Sequence, residues 1–353
     1  MENEKIKIYT TKRVSTILEK DAETFEFFKN KNYALNKNAF LTELILNYFN
    51  QFEQSRKHLN TKIFKILDSN IFLQKDILQN LSSVLTNEVQ SEMYAEKNEK
   101  FNNLISLKPT KKSEQQINYI QSYLLKDCSL SEYFRNMLTS YSLLPQDKRE
   151  EIIFKPQFDV ISKAIKTKRK IFITTFGNNR IEASPYQFAI TKEEIHLYLL
   201  FQNKNGNMLS IKLSRIKSAT ILNQSCEFND LSKDYFNKMI EFGPQYPLNE
   251  TSEKAVVKLT SRGLNLFHKI YTHRPIPESM QENIYTFSGS HMQVFQYFTR
   301  FGKDAEIISP LSLRDAMKNF HKGAFVIYAN ENDDKLKDEC ISIKEFELLN
   351  NNI

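Results

Sequence analysis

Glycine is scarce: the 353-residue chain has 7, where roughly 7% of residues is usual. Few positions are left for phosphate-cradling loops, and neither GxGxxG nor GxxxxGKS/T occurs, which excludes the simple nucleotide-binding folds. Cysteine is almost as rare. Cys128, Cys226 and Cys340 stand far apart with no CxxC, so free thiols are expected rather than a structural zinc site. The histidines form no HExxH, and His268 and His273 lie five apart, on different faces of a helix. No metal and no cofactor is expected. No run of about 18 apolar residues appears, so no membrane span is expected. The first residues, Met1 to Ile8, lack the apolar core of a signal peptide, which reads as cytoplasmic. No motif organises serines, histidines and acids into a catalytic set, so the chain is not expected to be an enzyme.

What is present is charge in one place. The chain carries 49 Lys+Arg against 42 Asp+Glu, a net +7. Between Lys155 and Ser218 stand 12 basic and 4 acidic residues, a surplus of 8, so everything outside sums to −1. A basic domain between near-neutral neighbours is the footprint of a polyanion site. The bland reading is a solvated lysine-rich surface; concentration in one strand-rich segment favours binding.

Residues 1–150 read as helical with one or two strands. Lys5 to Tyr9 alternates polar and apolar, which predicts a half-buried strand with Lys5, Lys7 and Tyr9 outward. A helix is expected over about 12–30, with Val14, Leu18, Phe25 and Phe28 on its apolar side. A turn over 32–37 follows. A second helix, capped by Asn36 or Asn38, carries Phe40, Leu41, Leu44, Ile45 and Tyr48. Strand, helix, turn, helix resembles the ribbon-helix-helix family, where paired strands enter the major groove. The resemblance implies that Lys5, Lys7 and Tyr9 face nucleic acid. Residues 104–145 repeat the pattern of 5–50. Ile6 and Ile8 align with Ile105 and Leu107, and Phe40, Leu41, Leu44 and Ile45 with Tyr133, Phe134, Met137 and Leu138. The second half has Leu104, Ser106 and Lys108 at its outward positions, so half the ribbon has lost charge. Between the halves, Phe64, Ile71, Leu78 and Leu85 recur every seven residues, a seam for another helix. Asp68-Ser-Asn70 is placed to break it.

The basic stretch reads as a short helix over 156–168, then strands over 170–176, 180–186, 195–201 and 208–213. Gly177-Asn-Asn179 and Asn203-Lys-Asn-Gly-Asn207 supply turns. That order predicts a small Sm-like or SH3-like β-barrel. Ser184-Pro-Tyr186, Leu197-Tyr-Leu199 and Ile211-Lys-Leu-Ser-Arg-Ile216 resemble the WYL-domain family over about 155–228. Leu197 stands where the family has Trp, Lys212 where it has Arg, and Ser214 where it has Asp. Strand parity puts Ile195, Leu197, Leu199 and Phe201 on one core face and His196 and Tyr198 on the other. Arg180, Tyr186, His196, Tyr198, Lys212 and Arg215 are then expected to line one polar surface, joined by Lys168, Arg169 and Lys170. The resemblance implies that this surface binds nucleic acid or a negatively charged effector.

Residues 250–330 alternate strand and helix, predicting a ferredoxin-like α+β domain. This resembles the extension that commonly follows a WYL domain. Residues 331–353 read as a polar tail. The whole is a multidomain α+β chain. Its order resembles the ribbon-helix-helix/WYL accessory proteins of type VI-D CRISPR systems. The resemblance implies a homodimer that binds single-stranded RNA and stimulates a CRISPR RNA-guided ribonuclease. The alternative is a ligand-responsive transcriptional regulator that reads duplex DNA with its ribbon.

Overall fold

Two strands far apart in sequence open the structure as a single ribbon. In the computed structural model, which describes residues 5–29, 34–94, 100–125, 128–191, 195–246, 248 and 253–328, β1 (Ile6–Thr10) pairs antiparallel with β2 (Asn103–Leu107). Ile6 faces Leu107, Lys7 faces Ser106 and Ile8 faces Ile105. This register is the two-fold relation that the repeat alignment requires. Helix α1 (Lys12–Thr24) follows β1, and α4 (Glu114–Tyr123) follows β2. The same hydroxyl begins each exit: Thr11 Oγ1 accepts from Val14 N, and Thr110 Oγ1 from Ser113 N, both at 3.3 Å. Helices α2 (Lys37–Asn70) and α5 (Leu130–Ser142) are capped alike, with Asn36 accepting from Ala39 N and Ser129 from Glu132 N. The aligned residues of both helices, Phe40 to Tyr48 and Tyr133 to Tyr141, form the buried core.

The first helix is shorter than its apolar pattern predicts. The chain leaves it at Phe25, and Glu26 takes φ 63°. Phe25 stays in the core, but Phe28 is exposed and forms a bridge with Leu35. Part of the expected turn over 32–37 lies outside the described residues. Helix α2 ends as expected at Ser69 and Asn70, whose side chains donate to Ile66 O at 3.0 and 2.7 Å. Helix α3 (Lys75–Tyr94) packs back on α2, and α6 (Gln146–Ile153) also meets it.

Two buried Tyr–carboxylate–Arg sets hold these helices. Tyr141 Oη donates to Asp21 at 3.0 Å beside Arg149, and Tyr133 Oη to Glu53 at 2.7 Å beside Arg56. Burial, and then the neighbouring carboxylate, pushes both phenols well above their ordinary range. In the second unit, burial lifts Tyr297 to about 12. A folded-state pKa above the unfolded value near 10 sets the sign. The stability from these phenols is complete below about pH 10 and is lost as pH rises above it, at up to about 1.4 kcal/mol per unit for each. Urea midpoints measured from pH 8 to 12 should fall steeply above 10, and Tyr141→Phe should fall less steeply. An identical slope in the variant would refute this account.

Residues 1–159 form one unit and 160–353 a second, the division falling within α7 (Lys155–Lys166). The strand-rich stretch is a five-stranded antiparallel sheet of β3 (Arg169–Thr175), β4 (Arg180–Ile190), β5 (Leu197–Asn203), β6 (Met208–Lys212) and β7 (Ile216–Ser225). Its order is β6-β5-β4-β3-β7, with a 3₁₀ turn, Leu213–Arg215, before the last strand. Helix α8 (Asp230–Phe242) packs on it. Next come β8 (Ala255–Leu259), α9 (Ser261–Lys269), β9 (Ser279–Gln281), β10 (Ile284–Phe287), α10 (His291–Phe298), β11 (Ala305–Ser309) and α11 (Leu311–Tyr328). Their antiparallel sheet runs β11-β8-β10-β9 over a core of Phe267, Phe287, Tyr297 and Phe298. The short β9 was not legible in the sequence. Thr260 caps α9. The chain is thus mixed α+β, with several antiparallel sheets. The expected tail, 331–353, lies outside the described residues. No helix among those described is long and apolar enough to cross a membrane.

Candidate nucleic-acid interface

Strand β5 lies inside the sheet, and Leu197 to Phe201 are all buried. Register sorts its two faces. Leu197, Leu199 and Phe201 share one face; Tyr198 and Leu200 share the other with Ala189 and Ser210. The sequence leaves that second face open to a ligand. Helix α8 covers it, with Phe236 and Met239 packed against Ala189 and Leu200.

Two expected contact residues are buried and a third is half-buried. Tyr198 is 6% exposed and lies under Lys212, whose Nζ is 5.9 Å from the ring centre. His196 is buried, with its N–H donating to Thr191 Oγ1. Tyr186 sits where the β4–β5 register shifts, between Pro185 and Gln187. Its ring stacks on Phe236 at 4.5 Å and 14° and meets Phe228 edge-on. Tyr186 holds α8 to the sheet, and neither it nor Tyr198 is an exposed stacking plane.

The cations also divide. Lys168 and Arg169 are exposed at the start of β3, where Arg169 Nη1 donates to Asn223 at 3.3 Å. Lys170 pairs with Glu182 at 2.9 Å, which neutralises it locally. Arg180 and Arg215 stand at the other end of β3, about 20 Å away at ~3.3 Å per residue. Arg180 opens β4 opposite Thr174, and Arg215 closes the 3₁₀ turn. The expectation of one continuous basic surface is corrected to two separate groups.

At the second group the structure adds a residue the sequence reading missed. Phe176 is 62% exposed. Its N–H donates to Arg215 O at 3.3 Å, which brings strand β3 and the 3₁₀ turn together. The tight turn after it is held at Thr175, whose N–H donates to Asn179 O and whose carbonyl accepts from Asn178 N at 2.9 Å. Asn178 takes φ 60°, a conformation Asn tolerates better than most residues. Its amide oxygen accepts from Lys217 Nζ at 3.4 Å. The result is an exposed ring at the same end of β3 as Arg180, Arg215 and Lys217. An apolar residue placed just before Gly177-Asn-Asn179, beyond the reach of the sheet core, was the available signal.

In the first unit, Lys7 and Tyr9 face outward on the ribbon, opposite exposed Ser106 and Leu104. Lys5 is exposed beside them. Lys108 is exposed just after β2, so the outward face carries Lys5 and Lys7 on one side and Lys108 on the other.

No family model matches the chain, and no curated protein does. Among solved structures, the crystal structure of a CRISPR Cas-related protein superposes with a TM-score of 0.59 at 19% identity, over 92% of this chain and 94% of that one. That likeness is one of fold. Proteasome accessory factor B/C (PafBC) of Arthrobacter aurescens aligns over 64% of this chain and 37% of that one, at 12% identity and a TM-score of 0.25, too low to carry an argument.

Proposed function

We propose that this chain is a non-enzymatic CRISPR accessory protein, acting as a homodimer, that binds single-stranded RNA and stimulates an RNA-guided ribonuclease of the type VI-D class. The observation that carries the RNA reading is the exposed Phe176 ring at the end of the sheet that also holds Arg180, Arg215 and Lys217. A single strand offers unstacked base faces together with phosphates; a duplex hides the faces. The CRISPR setting is supported by the fold shared with a CRISPR Cas-related protein. The WYL reading is supported by the strand order β6-β5-β4-β3-β7 with its 3₁₀ turn, which suits an Sm-like barrel. The order β11-β8-β10-β9 suits a ferredoxin-like domain.

Fluorescence anisotropy with labelled single-stranded RNA and duplex DNA, across a salt series, tests this. RNA should bind more tightly. Phe176→Ala should weaken RNA binding by about 5- to 150-fold, the range of one lost base stack, with little change in salt slope. Arg180→Ala/Arg215→Ala should shrink that slope by about 1.4, at ~0.7 per charge on a single strand. Adding the wild-type chain to the ribonuclease should raise cleavage, and Phe176→Ala should raise it less. The exposed Lys7 and Tyr9 favour the second reading, a DNA-binding regulator. Duplex preference abolished by Lys7→Ala/Tyr9→Ala would select it.

A further inference from the structure

The α2–α3 hairpin buries polar residues and leaves large apolar ones bare near its closed end. The residues of α3 that are buried are Leu78, Ser82, Thr86 and Gln90, one turn apart and mostly polar. Asn60 of α2 supplies their partner, donating to Ser82 Oγ at 3.3 Å and Thr86 Oγ1 at 3.1 Å. Arg56 adds a bond to Asn87 at 2.7 Å. Ile63, Phe64, Leu81 and Leu85 are half-buried beside them, but other large apolar side chains lie outside. Ile66, Ile71, Phe72, Leu73, Ile77 and Val84 are all exposed around the closed end of the hairpin. A helix pair in water ordinarily buries its apolar stripe and exposes its polar one. A cluster of this size at one end is the kind of patch that marks an interaction site.

The geometry points to a second copy of this chain as the occupant: we infer that two hairpins pack against each other into a four-helix seam. Charge selects the copy. Over 57–70, Lys57, Lys62 and Lys65 against Asp68 leave α2 at +2, while over 75–94 Lys75 against Asp76, Glu88 and Glu92 leaves α3 at −2. A two-fold axis sets α2 of each copy against α3 of the other, so both contacts unite opposite charges. The inference rests on the homodimer reading above and assigns its interface.

Sedimentation velocity of the full chain tests both. The wild type should sediment as a dimer. Ile66→Asp/Phe72→Asp should weaken self-association by about 30-fold or more, the size of an interface hot spot. Both side chains are exposed, so circular dichroism should not change. Lys62→Glu/Lys65→Glu and Asp76→Lys/Glu88→Lys should each be monomeric alone and should dimerise when mixed, because only the mixed pair sets opposite charges together. A monomeric wild type would overturn the dimer reading along with the hairpin assignment. A dimer that survives the aspartates, or charge swaps that leave it intact, would overturn the hairpin assignment alone. RNA affinity per chain should stay unchanged in every one of these variants.

Discussion

An Arg149→Met chain should lose about 3–5 kcal/mol of unfolding free energy in its first unit, seen as a lower urea midpoint. Asp21 lies on α1 with its side chain 1% exposed. Arg149 Nε and Nη2 donate to its two oxygens at 2.6 and 2.9 Å, a forked pair that matches the planar carboxylate. Nη1 donates to Leu144 O at 2.5 Å, which fixes the guanidinium at the α5–α6 junction. Methionine fills similar volume and removes every one of these donors. The carboxylate would keep only the Tyr141 hydroxyl, in a site closed to water. Breaking a buried pair on one side is the severe case; removing both charges is mild. Asp21→Leu/Arg149→Met should therefore recover most of the loss. A single variant as stable as the double would show that the pair contributes nothing. The link matters because it ties α1 of the first half of the repeat to the helices that follow the second.

Gly263→Ala should destabilise the second unit by about 1–3 kcal/mol, the usual penalty for an overfilled site. A Cβ at Gly263 would come 2.1 Å from Asp304 O, with Leu259 Cβ at 3.4 Å behind it. The carbonyl cannot easily retreat. It accepts from Thr260 N at 3.1 Å, and Asp304 also takes the Thr260 hydroxyl at 2.8 Å. That hydroxyl caps α9 through Gly263 N at 3.1 Å. Movement would reach β11, whose first residue Ala305 pairs with Leu259. Hydrogen exchange should show faster opening at β8 and β11 than in β3–β7. Uniform protection equal to wild type would mean the loop absorbs the methyl group without strain.

Much of the first unit was written in local pattern. The alternation of Lys5 to Tyr9 and the stop at Ser69–Asn70 act over three or four residues, so sequence alone located them, and it narrowed the α2 cap to Asn36 or Asn38, of which Asn36 caps. The repeat went further and contained the two-fold register of the ribbon. The length of α1 was less legible, because an apolar stripe continues through Phe28 after the backbone has turned at Glu26.

The sequence by itself determined the ribbon, four of the five strands of the basic stretch and the placing of its positive charge; the seven-residue recurrence it also contains is split between α2, α3 and the loop joining them. Only the tertiary structure decided which of those groups meet water. Parity states which side chains share a face of β5, but the cover over that face comes from Phe236, about thirty-five residues beyond the strand. The same holds for Phe176, which reads as core by composition and is exposed because its turn carries it past the sheet. Local periodicity encodes direction relative to the backbone; exposure depends on what distant segments pack against it.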